Sequence, residues 1–288
     1  MKARNFRYIR PHSLDHAYRI LQEGAGEAIP VAGGQSLLAG LNMRLSAPKL
    51  LVDIGDLPEL AVSTHTDSEI RLGALTPHCE LLRSELVREQ LPLLRQAASH
   101  VGHVAIRNRG TLGGSLAYAD PAAELPACSV ALDAVIVLGS LAGDREVKAE
   151  HFFKGLFETD LRTGELILAV KFPLPKVKPS TAFAELARRH GDFALVGLAA
   201  VANLNDGEIQ DARLVYFGCT DHAKVARSVS SAIAGLKFPV ADGKAFAAAI
   251  EQDLQPYDTP GLRADTRLHM AKVLTRRVLN SLSDRIAA

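Results

Sequence analysis

"AIPVAGGQSLLAGLNMRLSAPKLLVDIG", residues 28–55, decides how this chain is read. The apolar run Ala28–Ala32 is too short for a helix and stops at two glycines, so it reads as a buried strand. Leu37, Leu38, Leu41 and Leu45 then recur at helical spacing until Pro48, and "KLLVDI" follows as a second strand. Upstream, "SLDHAYRILQEG" (13–24) has Ser13 to cap a helix, Leu14, Ala17, Ile20 and Leu21 as its apolar stripe, and Gly24 to stop it. Helix, strand, helix and strand in that order predict a small parallel α/β unit. Its strand-to-helix turn contains Gly33, Gly34, Gln35 and Ser36. The Ser36 hydroxyl suits an N-cap, and the first turn of a helix carries unpaired N–H groups that attract anions. Glycines without a Cβ let a phosphate approach the backbone, and Gln35 adds a side-chain amide. Taken alone, such a glycine pair reads first as a tight turn, since any strand–turn–helix may contain one.

A second glycine pair follows in "RNRGTLGGSLAYADPAAELP", residues 107–126. Thr111, Gly113, Gly114 and Ser115 combine hydroxyls with bare backbone, and two such turns suit a diphosphate met from both sides. In "DPAAEL", Asp120 fits an N-cap and Pro121 the first helical turn. Glu124 falls one residue past the capping-box position, so capping does not explain it. It reads either as an acceptor for sugar-alcohol hydroxyls or as a solvated surface glutamate. "GAGEAI" does not complete GxGxxG and no GxxxxGK[ST] occurs, which disfavours a Rossmann dinucleotide domain and a P-loop ATPase.

Composition narrows the class. The 288 residues are 48% hydrophobic and 23% charged, an ordinary globular balance with room for two domains. A net charge of +1 and the absence of tryptophan argue against nucleic acid as a partner. No apolar run reaches the roughly 20 residues that span a bilayer, and "MKARNFRYIRPHS" lacks the apolar core of a secretory signal. The expectation is a cytoplasmic protein. Cys79, Cys128 and Cys219 are widely spaced and form no disulfide framework or metal motif, so iron–sulfur or zinc chemistry is expected on another chain. The histidines show no HExxH; His100 and His103, three apart, read as a loop or surface pair.

Further along, "EIRLGALT" reads as a strand and "HCELLRSELVREQLPLLRQAASHV" as helix interrupted by Pro92. "DAVIVLGS" and "GELILAVKFPLP" read as strands around the irregular "HFFKGLFETDL". "FPLPKVKPS" (172–180), with three prolines in nine residues, is the linker candidate. "FALVGLAAVANL" and "ARLVYFGCT" are strand-like around the turn "NDGE", and the tail from about residue 220 is alanine-rich and helical.

"AGGQS" (32–36), "TLGGS" (111–115) and "DPAAELPA" (120–127) together resemble the FAD-binding medium subunit of the molybdenum hydroxylases, the xanthine dehydrogenase and aerobic carbon monoxide dehydrogenase family. The similarity runs from "FRYIRPHSLDHA" through "GELILAVKFP" and "ARRHGDFALV" to the helical tail. It implies an α+β fold in which two α/β subdomains of the PCMH type, about 1–58 and 59–176, clamp FAD. A C-terminal domain of antiparallel sheet and helices, 177–288, is expected to follow. The first diphosphate turn then comprises Ala32, Gly33, Gly34, Gln35 and Ser36, edged by Val31 and Leu37. The second comprises Thr111, Leu112, Gly113, Gly114 and Ser115. By the same resemblance Glu124 binds ribityl hydroxyls, and Gly102 and Ile167 line the flavin or adenine pocket. Phe193 stands where relatives often place a tyrosine over the isoalloxazine ring. A lysine common in relatives near Ala184 or Glu185 is missing, which puts its role in doubt here.

For the complex, the resemblance implies FAD on this chain, with a molybdenum–pterin cofactor on a large subunit and two [2Fe–2S] clusters on a small subunit. Electrons would pass from the clusters to FAD and on to an external acceptor. The expected assembly is a dimer of heterotrimers acting on an N-heterocycle or alkaloid. Alternatives are a carbon monoxide or aldehyde dehydrogenase of the same family, a stand-alone flavin oxidase, and a non-catalytic nucleotide-binding protein. No catalytic acid, base or nucleophile and no metal ligand is assigned to this chain.

Overall fold

A computed structural model describes residues 2–240 and 243–283. The last five residues of the expected C-terminal domain, 284–288, lie outside the described residues. Three sheets follow one another along the chain, in a mixed α+β fold. The first contains β1 (Arg7–Ile9), β2 (Ala28–Val31) and β3 (Leu50–Asp53), all parallel, in the order β1-β3-β2. Between them lie α1 (Leu14–Glu23) and α2 (Leu37–Asn42). Helix α1 is capped as its sequence predicts: the Ser13 hydroxyl accepts from the His16 amide, and Gly24 closes the far end. It buries Ala17, Tyr18 and Leu21. Helix α2 is shorter than the leucine spacing suggests. It stops at Asn42, and Arg44 turns left-handed at φ 61°, well before Pro48.

The second sheet has the order β4-β5-β10-β6-β7. Its members are β4 (Thr64–His65), β5 (Glu69–Gly73), β6 (Val135–Ser140), β7 (Gly143–Lys148) and β10 (Leu166–Pro173). A run of helices separates β5 from β6: α3 (His78–Arg83), α4 (Glu85–Gln90), α5 (Pro92–His100), α6 (Val104–Arg109), α7 (Leu112–Tyr118) and α8 (Glu124–Ala131). The predicted single break at Pro92 is joined by another at Ser84, whose hydroxyl caps α4 through the Val87 amide. The irregular stretch resolves into α9 (Ala149–Phe152) and a hairpin of β8 (Phe153–Gly155) and β9 (Glu158–Thr159). Central strand β10 is apolar but for Lys171, because both its faces are covered over most of its length. Ile167, Val170 and Phe172 belong to one core, and Leu166, Leu168 and Ala169 to another.

The third sheet is antiparallel: β11 (Ser180–Leu186), β12 (Val196–Asn205), β13 (Glu208–Phe217) and β14 (Lys224–Val225). Helices α10 (Arg227–Ile233), α11 (Lys244–Asp253) and α12 (Ala264–Ser283) complete the chain. Alternate residues of β12 and β13 serve two cores. Leu198, Ala200, Leu214 and Tyr216 face the C-terminal helices, where the Tyr216 hydroxyl meets Thr275 of α12 at 2.5 Å. Ala199, Val215 and Phe217 face the other way, into the core built around α5 and α8. Every residue of α8 is buried, which its mix of small and apolar side chains permits. Arg213 of β13 adds a polar tie, donating to the Val130 carbonyl at 2.9 Å and to Glu150.

This shared core predicts cooperative unfolding. Phe217→Ala removes a fully buried ring from it and should cost about 3–5 kcal/mol. Urea denaturation should show one transition at lower midpoint, with the helices of the first half and the C-terminal sheet lost together.

Candidate functional site

The first turn leaves β2 at Val31 and enters α2 at Leu37. Gly34 sits at φ 70°, a conformation that favours glycine. Gly33 is constrained by packing instead. An added Cβ there would overlap the Arg109 carbonyl and lie 2.9 Å from the Gly110 Cα. The first turn therefore rests, backbone against backbone, on the segment that leads into the second. Gln35 folds back, its side-chain amide donating to the Gly33 carbonyl at 2.8 Å. The first helical hydrogen bond runs from the Leu38 amide to the Gly34 carbonyl at 3.0 Å, so the amides just before it have no helical acceptor. Ser36 holds the N-cap position of α2, as expected, but its hydroxyl does not do the capping. Its backbone is already helical, and its side chain makes no capping bond.

The second turn is held differently. Thr111 caps α7, its hydroxyl oxygen accepting from the Gly114 amide at 3.1 Å. A Cβ on Gly114 would crowd that oxygen, and one on Gly113 would lie 2.6 Å from the Ala74 Cβ. The Leu112 amide donates to the Thr76 carbonyl at 2.9 Å and the Gly113 amide to the Ala74 carbonyl at 2.8 Å. Three successive amides are thus engaged within the protein. What this turn offers a ligand is hydroxyl groups, on Thr111 and Ser115. His78 lies directly beneath, its backbone amide donating to the Gly110 carbonyl at 2.9 Å. Its Nδ1 is buried without a partner among the described residues. Burial, and secondly the Arg107 charge, lower its pKa to about 4.

Asp120 does not cap the next helix. Its carboxylate accepts from the Ala122 amide at 2.9 Å, and α8 begins only at Glu124, after Ala123. The turn needs those extra residues to bring Pro121 to the C-terminal sheet, where its carbonyl accepts from the Gly218 amide at 2.7 Å. Glu124 is 9% exposed, which removes the solvated-surface reading. Burial pushes its pKa up to about 8, opposed by its backbone hydrogen bond and helped by the neighbouring negative charges of Glu185 and Asp120.

The C-terminal sheet supplies the remaining wall. His100 ends α5 and is no surface pair with His103. Its Nδ1 lies 3.2 Å from Glu185 Oε1, and its ring packs against Phe183 and His190. Gly102, at φ 46°, supports the loop after β11: a Cβ on Gly191 would come within 2.7 Å of the Gly102 carbonyl oxygen. Arg107 fixes the same segment by donating to the Val101 and Gly102 carbonyls at 3.0 and 2.9 Å. Phe193 closes that loop and is 68% exposed. Ile167 of β10 is buried in the core cluster that also takes in Leu112 of the second turn. A concavity of 280 Å³ beside the first turn is lined by Ser36, Leu37, Gly40 and Leu45 together with Tyr118 and Phe157.

The structure thus brings together Gly33 with the segment leading into the second turn, Glu124 with Glu185, and Gly102 with the loop that carries Phe193. His78, His100 and Glu185 were not singled out as site residues. For Glu185 a signal existed: in "STAFAEL", period-2 alternation puts it on the same strand face as Phe183, opposite Ala182 and Ala184. Among the described residues no group of three or more His, Cys, Asp or Glu could hold a metal ion, and no helix is long and apolar enough to cross a membrane.

Comparison with known proteins agrees along the whole chain. Residues 4–175 match the family described as FAD binding domain in molybdopterin dehydrogenase, and residues 181–282 match the CO dehydrogenase flavoprotein C-terminal domain. The chain is similar to 6-hydroxypseudooxynicotine dehydrogenase complex subunit alpha of Paenarthrobacter nicotinovorans, at 38% identity over 97% of this chain and 95% of the relative. Among solved structures it resembles a chain of carbon monoxide dehydrogenase from Hydrogenophaga pseudoflava, with 32% identity and a TM-score of 0.94 over 99% of both chains. A chain of quinoline 2-oxidoreductase from Pseudomonas putida 86 matches with 36% identity and a TM-score of 0.91, again over 99% of both.

The buried ionisable groups set a pH window. Glu124 holds its proton longer in the folded than in the unfolded chain, so folding loses stability as pH rises from about 4.5 to about 8. His78 acts oppositely between about 4 and 6.5, where only the unfolded chain protonates it. The two offset each other in acid, leaving Glu124 to act alone from about pH 6.5 to 8. There the flavin-free chain should lose at most about 1.4 kcal/mol per pH unit. Glu124→Gln should flatten that slope in chemical denaturation at stepped pH.

Proposed function

The chain belongs to the FAD-binding medium-subunit family of the molybdenum hydroxylases, and on that premise we propose that it is the flavin-carrying electron-transfer component of a heterotrimeric complex. The observation that carries this reading is the contact of Gly33 with Arg109 and Gly110, which joins the two glycine turns into one cradle. The donors fit a diphosphate: free amides and Ser36 at the first turn, hydroxyls of Thr111 and Ser115 at the second. Ala32, Gly34, Gln35, Leu112, Gly113 and Gly114 give the cradle its shape, with Val31 and Leu37 at its edges. Glu124, proton-bearing at neutral pH, meets ribityl hydroxyls, and Gly102, Ile167 and Phe193 supply apolar or backbone walls. Bound FAD supplies the exchange of electrons in pairs and singly, which no side chain here performs. The residues' task is to bind it, orient it and exclude water.

In this reading residues 1–176 form the FAD-binding part, with subdomains at about 1–58 and 59–176, and 177–288 form the C-terminal domain. A large molybdopterin-binding subunit and a small subunit with two [2Fe–2S] clusters complete a cytoplasmic complex, a dimer of heterotrimers. The relatives named for 6-hydroxypseudooxynicotine and quinoline support an N-heterocycle or alkaloid as substrate of the large subunit. The match to carbon monoxide dehydrogenase favours carbon monoxide or an aldehyde as the second reading.

Two outcomes test this. Gly33→Ala should part the turns and weaken FAD binding by at least about tenfold, the loss of a well-placed charged hydrogen bond. Gly243→Ala, whose new methyl group meets only the Phe246 ring at 3.4 Å among the C-terminal helices, should leave it unchanged. Co-expressed with its partner chains, the protein should purify yellow and bleach anaerobically on adding an N-heterocycle. Bleaching only by carbon monoxide or aldehydes would select the second reading, and a colourless complex would end both.

A further inference from the structure

The Glu185 side chain is 4% exposed and is bound on one side only. His100 sits at Oε1, while Oε2 is buried with no hydrogen-bond partner among the described residues. A buried carboxylate oxygen without a donor is costly, and a donor arriving with an ordered water or a ligand relieves that cost. Glu185 shares its strand face with Phe183, turned towards α5 and α8, and its charge reaches Glu124 at the start of α8. The Gly102–Gly191 contact closes the loop beside it. In the cleft, the acid side chains of Glu124 and Glu185 thus lie together where α8 meets the C-terminal sheet. The donors of the cleft, the amides of the first turn and the hydroxyls of Thr111 and Ser115, lie at the glycine turns.

FAD has a matching polarity. Its diphosphate only accepts hydrogen bonds, whereas its flavin half carries ribityl hydroxyls and a ring N–H that donate. We propose that Glu185 is a cofactor-positioning residue, its Oε2 accepting from a donor on the flavin half while His100 holds Oε1. The direction of FAD in the cleft is thereby set. This rests on the functional reading above but adds a contact from the C-terminal sheet. A carboxylate there repels the diphosphate, so the reversed orientation is disfavoured by charge as well as by unmatched donors.

The test uses the full-length chain stripped of flavin and titrated with FAD and with riboflavin, read by flavin fluorescence. Glu185→Gln keeps the volume and an oxygen for His100 but turns the second position into a donor. It should weaken both ligands roughly tenfold to a hundredfold. The flavin-free melting temperature should stay unchanged or rise, because a buried charge is removed. His100→Ala should give a smaller loss of the same kind. If Glu185→Gln fails to fold, Glu185→Asp, which withdraws the carboxylate by one methylene, carries the same expectation. Undiminished flavin affinity, or a loss matched by a lower flavin-free melting temperature, overturns the inference. A wild-type chain that binds no FAD overturns the functional reading instead.

Discussion

Everything in this molecule is arranged around a short helix with no outside. All eight residues of α8 are buried, between the helices that follow β5 on one side and the antiparallel β11–β14 sheet on the other. A helix so placed cannot use an amphipathic stripe; it needs small and apolar side chains all round, and "ELPACSVA" supplies them. Its one ionisable carboxyl, Glu124, stands at the N-terminal end and inherits the burial of the helix. Its raised pKa is therefore a by-product of how the two halves of the chain are joined.

The two glycine pairs look alike as strings and differ as structures. In the first, Gly34 takes a positive φ and Gly33 makes room for another segment's carbonyl. In the second, Gly113 makes room for Ala74, and Gly114 lets the Thr111 hydroxyl reach its own amide. One turn keeps amides without helical acceptors; the other spends its amides on the protein and presents hydroxyls. A diphosphate held there would be gripped by two kinds of donor, a division invisible in the shared GG.

Much of the architecture was nonetheless legible. Ser13 and Gly24 mark α1 because capping is local, and the apolar runs of β2, β3, β6 and β10 announce themselves by length and content. What escaped depends on distant partners. Strand β7 is an edge strand of charged residues with no apolar pattern to betray it. Ser36 makes no capping bond, and Asp120 closes a local turn with the Ala122 amide ahead of the helix. His100 and Glu185 lie far apart in sequence and become a pair only when the third sheet docks. At the site, motif position was readable, but which atoms stay free was not.

The backbone contact between Gly33 and Arg109 also orders events during synthesis. The first parallel sheet, β1 to β3, is translated well before Arg109, and domains begin to form as they emerge from the ribosome. Until Arg109 follows, the Gly33 turn has nothing to rest on, so the nascent sheet carries only half of a cradle. Any ligand that needs both turns would therefore find them side by side only once the helices between β5 and β6 have been made.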